Sequence, residues 1–279
     1  MPDWRPRARA SLLAAGVGVV AAAVLLATSA AAAPESVALG AAAVIKPKYE
    51  GSDEHEVIPI PMILPKFTEH PDDDSAITEV RKRVNFRGLD DIRIRLFGGD
   101  RFQVGPVTGY ITKRDQDDGD LLKGLGDIDG GLVLGGYAAV RFGTFSFDAA
   151  ILEKVTGDSA GPEYRLGVET SRQVTERIAL GIRFGTTIAS QDYMQTYFGV
   201  TRAQSRNSRA GLPVYTPDAG VKDVFVALGA SGDLSDRWVM KAGIRYGRLV
   251  GEAADSPVIE TEDQLSGTVG LAYRFSWWR

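Results

Sequence analysis

The sequence predicts an all-β protein: a single antiparallel transmembrane β-barrel of about twelve strands, preceded by a cleaved signal peptide. Three observations predict it. The chain opens with a basic segment that runs into an uncharged apolar stretch ending in small residues. Beyond that stretch, long segments alternate large apolar residues with small or polar ones. The connections between those segments are short at one end and long at the other.

The leader comes first. "MPDWRPRARA" carries Arg5, Arg7 and Arg9, "SLLAAGVGVVAAAVLLA" is apolar, and "TSAAAAP" offers the small residues a signal peptidase prefers. Cleavage is expected near Ala31 to Ala33, so residues 1–33 form the signal peptide and residues 34–279 the barrel. The Ala-rich core and small-residue end separate this segment from a membrane-anchoring helix. No two arginines in it are adjacent, which points to the general secretion route. Loss of its three Arg and one Asp takes the formal net charge from −4 to −6. The remaining chain has no basic stripe for nucleic acid and no second run of about eighteen apolar residues. It has no cysteine, which excludes disulfides, thiolate metal sites and a lipidated Cys, and its histidines are His55 and His70 alone. No cofactor is expected.

A chain of this kind enters a membrane only as strands. They are expected near residues 36–47, 56–66, 77–86, 91–98, 101–112, 131–142, 144–155, 163–173, 177–189, 222–231, 237–249 and 264–275. In "RIALGIRFGTTIAS" the residues Ile178, Leu180, Ile182, Phe184 and Ile188 face one way, and Arg177, Ala179, Gly181, Arg183, Gly185 and Thr187 the other. "RWVMKAGIRYGRL" sets Trp238, Met240, Ala242, Ile244 and Tyr246 against Arg237, Lys241, Gly243, Arg245 and Gly247. Such runs exceed the roughly five or six residues of a typical soluble strand. Alternation alone also fits a soluble sandwich, whose polar face would meet water. Here the polar face is rich in Gly and Ala, which suits the crowded inside of a narrow cylinder, and the apolar face, edged by Trp and Tyr, suits lipid.

An even strand count puts both termini at the periplasmic end. The connections there are mostly tight ("GGD", "FGT", "QVTER", "LSDR"), while "KRDQDDGDLLKGLGDIDGG", "GDSAGPE" and "GEAADSPVIETED" would be external. Two connections strain the rule: the long "TEHPDDDSA", with Asp72, Asp73 and Asp74, and the brief "RGLD". Charges expected to face the lumen are Arg93, Arg95, Arg165, Arg183, Lys241, Arg245 and Arg274, with Asp148 and Glu169. Filled with water, such a lumen would favour anions; paired, the same residues would brace a closed barrel, which is the expected state.

The longest connection, "SQDYMQTYFGVTRAQSRNSRAGLPVYTPDAGVKD" (190–223), shows neither helical nor strand period. Its aromatics Tyr193, Tyr197 and Phe198, followed by a Gly199 hinge, are expected to pack on the inner wall and plug or narrow the barrel, leaving Arg202, Arg206 and Arg209 near the mouth. The acid runs at 115–120 and 127–130 lack the ligand spacing of a calcium loop. Ser52, Asp53 and His55 crowd one hairpin, but proximity in sequence is not triad geometry, and no enzyme is expected.

Several stretches resemble the MipA/OmpV family of outer-membrane proteins. They are "PKYEGSDEHEVIPIPMI", "YMQTYFGVTRAQSRNS" with "GLPVYTPDAGVKDV", and "RLVGEAADSPVIETEDQ" before a terminal "YRF". The family's founding name stands for MltA-interacting protein. The resemblance implies an outer-membrane location and a non-enzymatic scaffold bridging a lytic transglycosylase and a murein synthase. Porin-like relatives make a channel for small solutes the alternative. In "TVGLAYRF", Gly270, Tyr273 and Phe275 look like the terminal strand signal read by the barrel-assembly machinery, although "SWWR" follows, with Trp277 and Trp278 suited to an aromatic belt. Expected partners are outer-membrane lipid and lipopolysaccharide, the assembly machinery, and those two murein enzymes. An acidic periplasmic turn such as "TEHPDDDSA" could meet a basic partner patch.

Overall fold

The computed structural model describes residues 36–66 and 84–276. The expected signal peptide, the turn with Asp72, Asp73 and Asp74, and Trp277 and Trp278 lie outside the described residues. The strands are β1 (Ser36–Pro47), β2 (His55–Lys66), β3 (Val84–Gly88), β4 (Asp91–Ile94), β5 (Phe97–Gly98), β6 (Phe102–Ile111), β7 (Gly131–Phe142), β8 (Phe145–Lys154), β9 (Pro162–Gln173), β10 (Ile178–Ala189), β11 (Gly220–Asp233), β12 (Trp238–Leu249) and β13 (Asp263–Ser276). They form one antiparallel sheet in the order β2-β1-β13-β12-β11-β10-β9-β8-β7-β6-β4-β3, with β5 also on β6. Among the described residues the sheet has thirteen strands, in keeping with the expected count of about twelve. The expected fourth strand is broken at Arg95 and Leu96 into β4 and β5, both of which pair with β6.

The first and last strands are joined from Ser36↔Ser276 to Ile45↔Gly267. The sheet also wraps on itself. Lys46 at the end of β1 donates to Thr112 Oγ1 at 3.1 Å, just past β6, although β1 and β6 are eight neighbours apart along the sheet. Arg87 on β3 reaches Asp148 on β8 (3.1 Å) and Glu169 on β9 (3.0 Å) through the same interior. Contacts of this reach show the sheet curling around a shared interior, as in a barrel.

Period two then sorts the side chains. Leu180, Phe184, Leu228, Ile244, Val269 and Leu271 point outward and are left exposed by the protein itself, so lipid must cover them. The packed core is inside: Val107, Val133, Tyr137, Ala139, Ala150 and Leu152 line the inner wall of β6 to β8. Twelve-residue strands such as β9 and β10, rising ~3.4 Å per residue and tilted ~40°, more than cover the ~25 Å apolar band of such barrels.

One end of the barrel carries tight turns. Gly143, with φ 59°, opens the two-residue turn between β7 and β8, where a positive φ matches the twist of the hairpin strands. At that end Trp238, Tyr273 and Phe275 form an edge-to-face stack with ring centroids 5.1 and 4.9 Å apart. This is the position of an interfacial aromatic girdle. The opposite end carries the long connections, which the outer-membrane rule places outside the cell.

Arginine at Phe184, in the middle of the lipid face of β10, is expected to cost about 2–4 kcal/mol, the price of a midplane charge. Ser231→Arg, on the inner face of β11, should cost little. Urea unfolding midpoints in lipid vesicles separate the two.

Candidate functional site: a plugged lumen

Five external connections fold together into the barrel mouth. The stretch 190–223 is not without regular structure, as the sequence reading held. It contains α1 (Gln191–Tyr197) and α2 (Arg202–Asn207), and its last residues already belong to β11. Ser190 caps α1 by accepting from the Tyr193 backbone N–H. Thr201 and Gln204 form a reciprocal capping box on α2. Helices of seven and six residues are too short to display a period, so the caps were their only sequence signal.

Tyr193, Met194, Tyr197 and Phe198 are buried, packed with Ile128, Ala160, Ala189, Leu249 and Ala253. A second cluster joins Val200 and Leu212 to Tyr49, Leu122, Leu125 and Val258. At ~1.5–3 kcal/mol for each large buried side chain, the plug is a core in its own right. It is also tied by hydrogen bonds. Arg114 donates to Tyr197 O at 2.7 Å, Ser256 Oγ to Phe198 O at 2.5 Å, and Val200 and Tyr215 exchange backbone bonds. Gly199 is buried against the end of α1, where a Cβ would lie 2.5 Å from Gln195 O. Arg202, Arg206 and Arg209 are exposed at the mouth.

Beneath the plug lies a lysine that the alternation would point at lipid. Thr187 pairs with Asp223 and Ile188 with Val221, so Lys222 is the extra residue of a β-bulge. The bulge turns both Lys222 and Asp223 inward, and both are buried. Lys222 Nζ is 2.6 Å from Glu50 Oε1 and 2.6 Å from Glu163 Oε1. It also donates to Tyr193 Oη at 3.3 Å, and Tyr193 donates to Glu50 at 3.1 Å. Burial pushes the Tyr193 phenol well above its ordinary pKa, so it acts here as a neutral donor.

From Glu163 the charges continue across the lumen. Arg165 is 3.1 Å from Glu163 and 2.5 Å from Asp90 in the β3–β4 turn. Burial pushes the Asp90 carboxyl up, but the Arg165 guanidinium outweighs it and holds the group below its ordinary value. Arg93 donates to Asp91 (2.7 Å) and to Asp148 (2.6 Å). Asp148, wholly buried, also accepts from Arg87 and from Arg183 at 2.5 Å, and both arginines reach Glu169. Each charge has an opposite neighbour, the condition under which buried ions persist.

The structure therefore brings Arg93, Asp148, Arg165, Glu169 and Arg183 into one network. Arg245 stands beside it, 3.2 Å from Asp223 and 4.1 Å above the Phe225 ring. Arg95 is half-buried between β4 and β5. Lys241 is exposed on the inner wall toward the short-turn end. Arg274 is a rim tie, 2.8 Å from Asp233 and 3.1 Å from Asp236 O. Sequence reasoning missed Glu50, Arg87, Asp90, Asp91, Glu163, Lys222 and Asp223. Glu163 lay in phase with Arg165 and could have been found; Lys222 could not, because the bulge reverses its phase.

Ser52 donates to Glu260 at 3.3 Å, while the His55 ring meets Leu265 O at 3.0 Å. Among the described residues no group of three His, Asp or Glu side chains could hold a metal ion.

A lipid-facing exterior around a charged, loop-filled interior defines a membrane-spanning β-barrel with a plugged lumen. The chain matches the family described as MltA-interacting protein MipA over residues 39–275, and it belongs to that family. It is 27% identical over 195 residues to outer membrane protein OmpV of Vibrio cholerae serotype O1, covering 67% of this chain and 72% of the relative. It is 29% identical over 140 residues to YiaT, a putative outer membrane protein of Escherichia coli K12, covering 50% and 54%. The protein is accordingly an outer-membrane protein. Among solved structures, the translocator domain of the autotransporter NalP from Neisseria meningitidis has a TM-score of 0.41 at 13% identity, over 92% of this chain and 94% of that one. The CymD monoaromatic hydrocarbon channel has a TM-score of 0.35 at 11% identity, over 95% and 93%. At these scores the likeness carries no functional weight.

Lys222→Met should destabilise the barrel by about 3 kcal/mol, the low end for removing one partner of a buried pair, because Arg165 still faces Glu163. Adding Glu163→Leu should recover much of that loss. A double-mutant cycle on urea midpoints checks both.

Proposed function

We propose that this protein is a non-enzymatic outer-membrane scaffold for murein-remodelling enzymes, working from the periplasmic end of a closed barrel. The observation that carries the reading is the ion network beneath the plug. It crosses the lumen from β11 to β3 and leaves the charged groups engaged with one another rather than with a passing solute. The family description adds an interaction partner, MltA, for its named member.

The short-turn end offers a rigid surface for such partners. Two turns there repeat one design, Val174-Thr175-Glu176-Arg177 and Leu234-Ser235-Asp236-Arg237. In each, the hydroxyl accepts from the backbone N–H groups two and three residues on, Thr175 at 3.2 and 3.0 Å and Ser235 at 3.3 and 3.2 Å. Arg177 bridges to Asp236 at 2.8 Å, an exposed ion pair that links the two turns. Val174 and Leu234 stand exposed at their tips. On the same reading, Gly270, Tyr273 and Phe275 on β13 present the signal for the assembly machinery, and lipopolysaccharide meets the external face. The rival is a porin-like channel, which needs the plug to leave.

The test is saturable binding of a purified lytic transglycosylase to the immobilised refolded barrel at physiological salt, alongside conductance in planar bilayers. The expected result is binding that is lost on Val174→Ser with Leu234→Ser, and no steady conductance. Conductance without binding would overturn the scaffold in favour of the channel.

A further inference from the structure

In the network beneath the plug every buried cation meets a carboxylate: Arg87 and Arg93 meet Asp148, and Lys222 meets Glu50 and Glu163. Two cations of the plug region depart from that rule. Arg114, in the connection after β6, is buried, and one of its terminal nitrogens donates to Tyr197 O at 2.7 Å. Its Nε is sealed from solvent and has no partner. Lys154, the last residue of β8, is buried as well, and its Nζ donates to Asp129 O at 2.8 Å. Among the described residues no carboxylate lies within ion-pair distance of either cation. Buried charges persist when they are paired, so both carry a cost that the protein's own side chains do not offset.

The two cations meet one residue. Arg114 holds the backbone carbonyl of Tyr197, and Lys154 Nζ lies 5.7 Å from the centre of the Tyr197 ring. They are also rooted in one connection. Arg114 exchanges backbone bonds with Ile128 at 3.0 and 2.9 Å, and Lys154 is tied to the next residue, Asp129. Burial pushes the Arg114 guanidinium below its ordinary pKa, as expected of a cation short of counter-charge. Burial also pushes the Tyr197 phenol well above its own, so it keeps its proton, yet its hydroxyl is buried without a partner. Its neighbour Tyr193, by contrast, donates to Glu50.

The groups left over are therefore donors: Arg114 Nε–H, the Tyr197 hydroxyl and the N–H groups of Lys154 not spent on Asp129. A water brings donors of its own along with its lone pairs, so it does not relieve a shortage of acceptors. An anion does. There is room for a small one. Lys154, Ile111, Val133, Leu152 and Tyr193 line a cavity of about 10 Å³, the space of one water-sized guest. Glu163 borders it too, but its two oxygens are taken, by Lys222 at 2.6 Å and Arg165 at 3.1 Å. Such a volume excludes carboxylates, phosphates and sugars and leaves a single-atom anion.

We propose that the plug holds one halide ion, seated in the cavity at Lys154 and countering the charge that Lys154 and Arg114 place around Tyr197. The ion fastens the plug to the wall, because α1 brings Tyr197, the connection after β6 brings Arg114, and β8 carries Lys154. The site lies at the external end and is independent of the scaffold reading.

The test uses the full chain refolded in lipid vesicles, with urea midpoints read in sodium chloride and in sodium gluconate at equal ionic strength. Gluconate is too large for the cavity. Chloride should raise the midpoint, and at about ten times its dissociation constant it should shift the folding equilibrium about elevenfold toward the native state. Lys154→Met should abolish the difference between the two salts, and Arg114→Gln should reduce it. In gluconate Lys154→Met should be no less stable than the parent, since it removes a buried charge and strands no carboxylate. Arg206→Gln, at an exposed arginine of the mouth, should keep the full chloride effect. If Lys154→Met does not fold, crystals of the unaltered chain soaked in bromide decide, with an anomalous peak expected beside Lys154 Nζ. Midpoints indifferent to the salt, a chloride effect retained in Lys154→Met, or bromide found on the surface alone (an adventitious ion only) would overturn the site.

Discussion

Lys222 sits where the wall, the plug and the charge network meet. Its ammonium lies between Glu50 from the β1–β2 hairpin and Glu163 from β9, with the Tyr193 ring 4.6 Å away. Without that cation, two carboxylates would be left together in a low-dielectric interior and Tyr193 would lose a donor. The plug helix is therefore held by an electrostatic demand as well as by apolar packing. From the same point the pairs Glu163–Arg165–Asp90 and Arg93–Asp148–Arg183 carry the closure across the lumen.

A barrel of this kind turns ordinary burial inside out. Large aliphatic and aromatic side chains such as Phe184 and Leu228 lie outside, where lipid replaces the core. The interior holds what lipid cannot, and buried charges there must satisfy one another. That asymmetry explains why the long connections fold inward: Tyr193, Tyr197 and Phe198 gain burial only by covering the network beneath them. Toward the short-turn end, among the described residues, no side chain packs on Gly229 or Gly243, and Lys241 is exposed.

Most of the fold was legible because side-chain direction in a strand depends only on parity. The expected strands at 36–47 and 131–142 coincide with β1 and β7, and the others differ mainly at their ends, apart from that at 77–86, most of which lies outside the described residues. The departures are local. The expected strand at 91–98 breaks at Arg95, and the stretch at 190 onward holds two helices too short to show a period. Of the candidate site, Arg93, Asp148 and Arg183 were readable from parity alone. Their partners were not, since Arg87 and Asp148 are 61 residues apart in the chain.

The amino-acid sequence alone determined which face of most strands meets lipid, roughly where the strands lie, and the membership in the family of MltA-interacting proteins, because these rest on local period, turn residues and contiguous motifs. The tertiary structure decided which charges pair, how the plug is held, and that Lys222 points inward. The reason is physical: ion pairing is settled by the shear and curvature that bring distant strands together. A single extra residue in β11 reverses a side chain's direction with no change in the local pattern that would announce it.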